Sequence, residues 1–123
     1  FRGFELILNG KDPQAGLIVT PRICGICGGS HLYKSVYALH TAWKTHVPPN
    51  ATLIRNIAQA SETLQSIPRW FYALFAIDFV HQSFSKSKYF DEVVKRFSPF
   101  VGTSYEPAVQ TSAKPVEIYA LFG

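Results

Sequence analysis

Arg22, Ile23, Cys24, Gly25, Ile26, Cys27, Gly28, Gly29, Ser30 and His31 follow one another in this chain, and that decapeptide holds both of its cysteines. Two thiols three residues apart in a glycine-rich turn, with a basic residue before and an imidazole after, are soft metal ligands or a redox pair. Such a turn brings both sulfurs within reach of one ion, and its glycines let backbone amides approach them. The residues alone leave four readings open. A structural zinc site takes about four protein ligands, whereas Cys24, Cys27 and His31 make three and no second C-x-x-C or H-x-x-x-H follows. An iron–sulfur cluster meets the same shortage. A thioredoxin-like dithiol is expected beside a βαβ pattern, and the flanks here read as helical. The fourth reading is half of a larger metal site, completed elsewhere.

Working outward, residues 4–10 (FELILNG) read as a short helix closed by Gly10. Asp12 and Pro13 form a cap and first-turn pair for a second helix to about Val19. Pro21, Gly25, Gly28 and Gly29 should break that helix and leave the cysteines on a loop. Ser30 is then the expected cap of a helix carrying Leu32, Val36, Leu39 and Trp43 at helical spacing, to about Lys44. Pro48 and Pro49 stop it, and Asn50 is the expected cap of a longer helix with Leu53, Ile57, Ala60 and Leu64 on one face. Pro68 should kink or restart that helix. Residues 67–80 (IPRWFYALFAIDFV) are apolar nearly all round and read as a buried helix, too short at 14 residues to span a bilayer. A polar connection (81–88), a short helix over 89–97, an irregular proline-containing stretch (98–115) and a helical start in VEIYALFG complete the chain. The class is mainly α.

The chain has 123 residues, begins at Phe1, contains no methionine and stops within the apolar run ending at Gly123. It therefore reads as one partial domain, residues 1–123, cut at both ends. Charged residues are 16% and hydrophobic ones 47%, against a usual charged share of about 25%. So little charge cannot cover a surface of its own, and we expect apolar faces to lie against further sequence or a partner. The net charge of +4 comes from Lys and Arg scattered along the chain, with no stripe that nucleic acid would need. Two cysteines at this spacing close only a tiny loop, which is no framework for a secreted mini-protein and suits a reducing compartment.

The string RICGICGGSH, led by VTP and followed by LYKSVYAL, resembles the first cysteine motif of the large, catalytic subunit of nickel-iron hydrogenases, R-x-C-G-x-C-x-x-x-H. Upstream, Arg2, Gly3, Phe4 and Glu5 are similar to that family's R-G-x-E element; downstream, VPPNATLIRNI is similar to its V-P-x-N-A-x-x-x-R-N-I helix start. The resemblance implies a helical fragment of a larger multi-helix fold, with the C-x-x-C motif on a loop. It implies Cys24 as a terminal thiolate on nickel, Cys27 as a bridge between nickel and an iron bearing diatomic ligands, and Glu5 as a ligand of a nearby magnesium ion. Arg22 and His31 would stand beside the sulfurs and tune the metal. The implied activity is the reversible splitting of H2 into protons and electrons, in a complex with a small subunit carrying iron–sulfur clusters. Location would be cytoplasmic, or at a membrane through partner subunits.

The departures are specific. The family completes its site with a D-P-C-x-x-C-x-x-H type motif near the C-terminus and carries an R-I-E-G-H type element upstream, and neither occurs here. Where some members have histidine and aspartate before the F-Y of the long helix, this chain has Gln65, Ser66, Ile67, Pro68, Arg69 and Trp70. His40 stands where relatives are expected to be acidic. Outside the resemblance, a non-enzymatic zinc-binding or interaction module using Cys24, Cys27 and His31 is the competing reading. His46 and His81 read as ordinary polar histidines, and Trp70, Phe71, Tyr72, Phe75 and Phe79 as core or subunit contact.

Overall fold

The computed structural model describes residues 3–122. Arg2, part of the upstream element, and Gly123 lie outside them. Every regular element among the described residues is helical: α1 (Phe4–Leu8), α2 (Ala15–Val19), a 3₁₀ turn (Thr20–Ile23), α3 (Gly28–Trp43), α4 (Pro49–Arg69), a π-helical turn (Trp70–Phe75), 3₁₀ turns Ala76–Val80 and Gln82–Phe84, α5 (Phe90–Phe97), α6 (Tyr105–Thr111) and α7 (Val116–Phe122). The mainly α class stands. The chain divides into two compact units, and the division falls inside α4, between Glu62 and Thr63.

In the first unit the element ends differ from the expected ones for local reasons. Asn9, in extended conformation, closes α1, and Gly10 follows at φ 71°. The Asp12 carboxylate accepts from the Gln14 N–H at 2.8 Å, which delays α2 to Ala15. Pro21 does not end the helical path; it sits in the opening of the 3₁₀ turn, where its missing N–H costs nothing. Helix α3 starts at Gly28, with Cys27 as its N-cap, so Gly28 and Gly29 open the helix and do not break it. A Cβ on Gly28 would lie 3.0 Å from the Pro21 carbonyl oxygen, which explains glycine at the point where helix and 3₁₀ turn approach. Thr20 fastens the same two segments: its hydroxyl pairs with Ser35 Oγ at 2.7 Å and bonds the Gly16 carbonyl at 2.8 Å. The predicted end of α3 holds. Lys44 adopts φ 54°, and the Thr45 N–H returns to the His40 carbonyl at 2.9 Å.

Helix α4 begins at Pro49, one residue before the expected Asn50 cap, because proline is preorganised for the first helical position. Its burial inverts the amphipathic expectation. Ser61, Glu62 and Gln65 are buried, while Leu53, Ile57 and Leu64 are 60%, 44% and 62% exposed. Of the buried three, Glu62 carries hydrogen bonds, described below, that an apolar side chain could not supply.

In the second unit the disturbance expected at Pro68 takes the form of a helix that runs to Arg69, widens into the π turn and tightens into a 3₁₀ turn. The buried helix expected over residues 67–80 is corrected accordingly. Trp70 and Leu74 are about half exposed, and Ala76 is the buried apolar residue of the stretch. Its rings pack on one another instead of beneath a covering layer: Trp70 stacks on Phe75 at 5.2 Å, Phe75 meets Phe79 edge-on at 5.2 Å, and Phe71 meets Phe97 of α5 at 6.1 Å. Residues 98–115 are not irregular throughout. Three backbone bonds fold the connection onto the end of α5, from Gly102, Thr103 and Ser104 to the carbonyls of Ser98, Lys95 and Arg96, and α6 follows with Pro107 in its first turn. Buried Ser112 accepts from Arg69 Nε at 3.0 Å and ties α6 back to the end of α4. The predicted helices over 89–97 and from residue 116 are present as α5 and α7.

Candidate metal centre

The site is built where the 3₁₀ turn hands over to α3. Cys24 is extended after Ile23, residues 25 and 26 bend back, and Cys27 caps the helix whose fourth residue is His31. One turn of helix thus brings the imidazole under the thiol that precedes it, and the His31 N–H bonds the Cys27 carbonyl at 3.2 Å. The ligand atoms of Cys24, Cys27 and His31 all lie within 4.8 Å of one another, and all three residues are half-buried. That is the donor set picked out from the sequence.

In the structure the two sulfurs are joined as a disulfide, across a Cα–Cα distance of 5.4 Å. This is the oxidised form of the pair; metal ligation takes the reduced one, because the thiolate is the ligand. Two soft sulfurs and an imidazole fit a thiophilic transition metal and leave room for further ligands from outside the cluster.

The other sequence-derived residues stand apart from the three donors. Arg22 is exposed and donates to the Ile18 carbonyl of α2. Glu5 is exposed in the first turn of α1. His40 is not acidic and pairs with Arg55 through Nδ1 at 3.3 Å.

Sequence reasoning missed Glu62. It is 5% exposed, and its Oε1 accepts from the Gly29 N–H at 2.7 Å, while Oε2 accepts from the Ser30 hydroxyl. Gln59 Nε2 donates to the Ser30 oxygen at 2.7 Å. Ser30, expected to cap α3 itself, instead lies in its first turn and receives its partner from α4. The available signal was charge isolation: Glu62 is the single charged residue between Arg55 and Arg69.

Comparison with known proteins gives a consistent result. The family described as nickel-dependent hydrogenase matches residues 2–112. The hydrogenase-1 large chain of Escherichia coli K12 is 42% identical over 80 residues, covering 65% of this chain and 13% of that protein. The uptake hydrogenase large subunit of Rhodobacter capsulatus is 41% identical over 81 residues, 66% of this chain and 14% of the relative. The periplasmic [NiFeSe] hydrogenase large subunit of Desulfomicrobium baculatum is 41% identical over 80 residues, 65% and 16% respectively. The chain thus spans about one seventh of the length of these relatives.

Proposed function

The chain belongs to the nickel-dependent hydrogenase family, and from that membership we propose that it is the segment of a hydrogenase large subunit that supplies the first two sulfur ligands, Cys24 and Cys27, to a nickel–iron centre. The observation that carries this reading is the convergence of both sulfurs and the His31 ring within 4.8 Å, inside the residues that the family matches. The outward apolar face of α4 supports a segment of a larger body, since Leu53, Ile57 and Leu64 in a row invite cover from further sequence or a partner subunit.

When bound, the centre supplies the splitting of H2 into two protons and two electrons. The chain's own residues have narrower tasks. Cys24 would be a nickel ligand, and its Sγ could hold a proton released from H2. Cys27 would be a ligand of both nickel and iron. His31 offers a ring N–H or a positive charge to the sulfurs, and Arg22 a guanidinium at the mouth of the turn. Glu5 contributes a hard carboxylate to magnesium. The remaining sulfurs come from outside these residues. A partner small subunit with iron–sulfur clusters would take the electrons. No helix among the described residues is long and apolar enough to cross a membrane.

The zinc-module reading rests on the same three donors, and the family match favours the hydrogenase. Nickel analysis of the complete subunit, with its partner, tests the proposal. The wild type should hold stoichiometric nickel and oxidise H2, and Cys27→Ser should lose both by at least about 100-fold, as removal of a metal ligand does. Normal turnover in Cys27→Ser, or stoichiometric zinc in place of nickel, overturns it.

A further inference from the structure

We propose that Glu62 is a positioning residue of the metal centre, holding the first turn of α3 and through it the directions of Cys27 and His31. The inference rests on the reading of that turn as a ligand-bearing one, and three observations lead to it.

Burial comes first. A carboxylate 5% exposed is strongly disfavoured inside a protein unless its oxygens are hydrogen-bonded. Both oxygens of Glu62 are committed to one turn of one helix, Oε1 to the Gly29 N–H at 2.7 Å and Oε2 to the Ser30 hydroxyl. Gln59, one turn earlier on α4, completes the set through the Ser30 oxygen at 2.7 Å and Oε2 at 3.4 Å.

Second is need. The first N–H groups of a helix have no partner within it, and the N-cap of α3 is Cys27, whose side chain makes no capping bond. Cys27 is the N-cap by position only, so the N–H groups of the first turn take their partner from elsewhere. The cap is supplied from α4 instead, by a group whose negative charge suits a helix N-terminus.

Third is location. Gly29 is two residues after Cys27 and two before His31, so the Glu62 contact lies midway between two of the three clustered donors. Pro21 approaches the same turn at Gly28, where a Cβ would lie 3.0 Å from its carbonyl oxygen. The ligand turn is thereby held by close backbone at Gly28 and by a carboxylate at Gly29 and Ser30. Metal-ligand geometry responds to displacements of about half an ångström, and outer groups that orient ligands commonly change metal retention by about 10–100-fold.

The experiment compares the complete subunit, in complex with its partner, as wild type, Glu62→Ala, Glu62→Gln and Ser30→Ala. Three quantities are read: nickel per protein, the nickel paramagnetic resonance spectrum, and the rate at which reduced Cys24 and Cys27 close to the disulfide with oxidised glutathione, measured on metal-free protein. In that last step the two thiols lose two protons and two electrons, and one glutathione disulfide becomes two thiols. Glu62→Ala should lose about 10-fold in nickel, shift the nickel spectrum and change the closure rate several-fold. Glu62→Gln should stay within about 3-fold of wild type, because its amide oxygen still accepts from Gly29 and its NH2 can donate to Ser30. Ser30→Ala, which leaves the Gly29 bond intact, should fall between them and serves if Glu62→Ala does not accumulate. Wild-type nickel, spectrum and closure rate in Glu62→Ala overturn the proposal, as does a Gln variant as impaired as the Ala one. If the wild type itself holds no nickel, the hydrogenase reading fails on that measurement, and the closure rates still decide the role of Glu62.

Discussion

The first unit and the second are both helical, yet they are held in opposite ways. Around the cysteine turn, order comes from polar bonds between segments far apart in sequence: Thr20 to Ser35, Gly29 to Glu62, Gln59 to Ser30. Between Trp70 and Phe84, order comes largely from rings leaning on rings, with Trp70, Leu74 and Phe75 left 52%, 54% and 42% exposed. Hydrogen bonds fix direction, because they weaken steeply with misalignment, whereas apolar packing rewards contact area and tolerates rearrangement. The contrast fits the proposed task of the turn, which is to aim two sulfurs.

Glycine substitutions break the comparison from each side. The largest effect is expected at Gly102, where an added Cβ would fall 2.4 Å from the Arg96 carbonyl oxygen. The backbone there must move, and the bonds from Gly102, Thr103 and Ser104 onto the end of α5 move with it. Gly102→Ala should cost about 2–4 kcal/mol, read as a lower midpoint of denaturant unfolding, while nickel per folded protein stays at the wild-type level. Loss of nickel at unchanged stability would mean that the two regions are not separate in function.

Gly28→Ala comes next and acts on the other property. Its Cβ meets the Pro21 carbonyl at 3.0 Å, a contact relieved by a shift of a few tenths of an ångström, so stability should fall by no more than about 1 kcal/mol. The shift falls beside Cys27, and nickel retention should drop about 10-fold. Gly25→Ala is the control within the same turn, because no atom stands within 4 Å of its added Cβ. Equal nickel loss in both would attribute the effect to chain stiffness and not to the Pro21 contact.

The contrast also explains what the sequence could tell. The donor set was legible because it is local: Cys24, Cys27 and His31 lie within eight residues, and one turn of helix brings them together. The C-terminal end of α3 near Lys44, and the positions of α5 and α7, followed from local pattern in the same way, whereas the start of α3 at Gly28 did not. The Gly29–Glu62 bond was not legible, since it joins residues 33 apart and no local pattern encodes which helix a lone carboxylate will meet. The burial of α4 misled for a related reason. Its apolar residues lie on one face as the spacing predicted, but periodicity states which residues share a face, not which face the rest of the molecule covers. In the stretch from residue 67 to 80, hydrophobicity identified a surface that avoids water and could not distinguish a core from a contact face.

The smallest expected effect lies at the edge of the first unit. Glu5 occupies the first turn of five-residue α1 and is exposed, so its carboxylate has two roles to choose between. One is to sit favourably at the helix N-terminus; the other is to give a hard oxygen to magnesium, which keeps most of its waters and takes one or two carboxylates. Glu5→Gln keeps the shape and removes the charge. Under the magnesium role, metal analysis of the complete subunit should find magnesium reduced a few-fold with nickel intact, because the ion retains its other ligands. Under the helix role, magnesium stays at the wild-type level and stability falls by about 0.5 kcal/mol. The sulfur cluster lies between the 3₁₀ turn and α3, braced by α4, and Glu5 is not among its clustered donors, so in either case nickel retention should be the quantity that does not move.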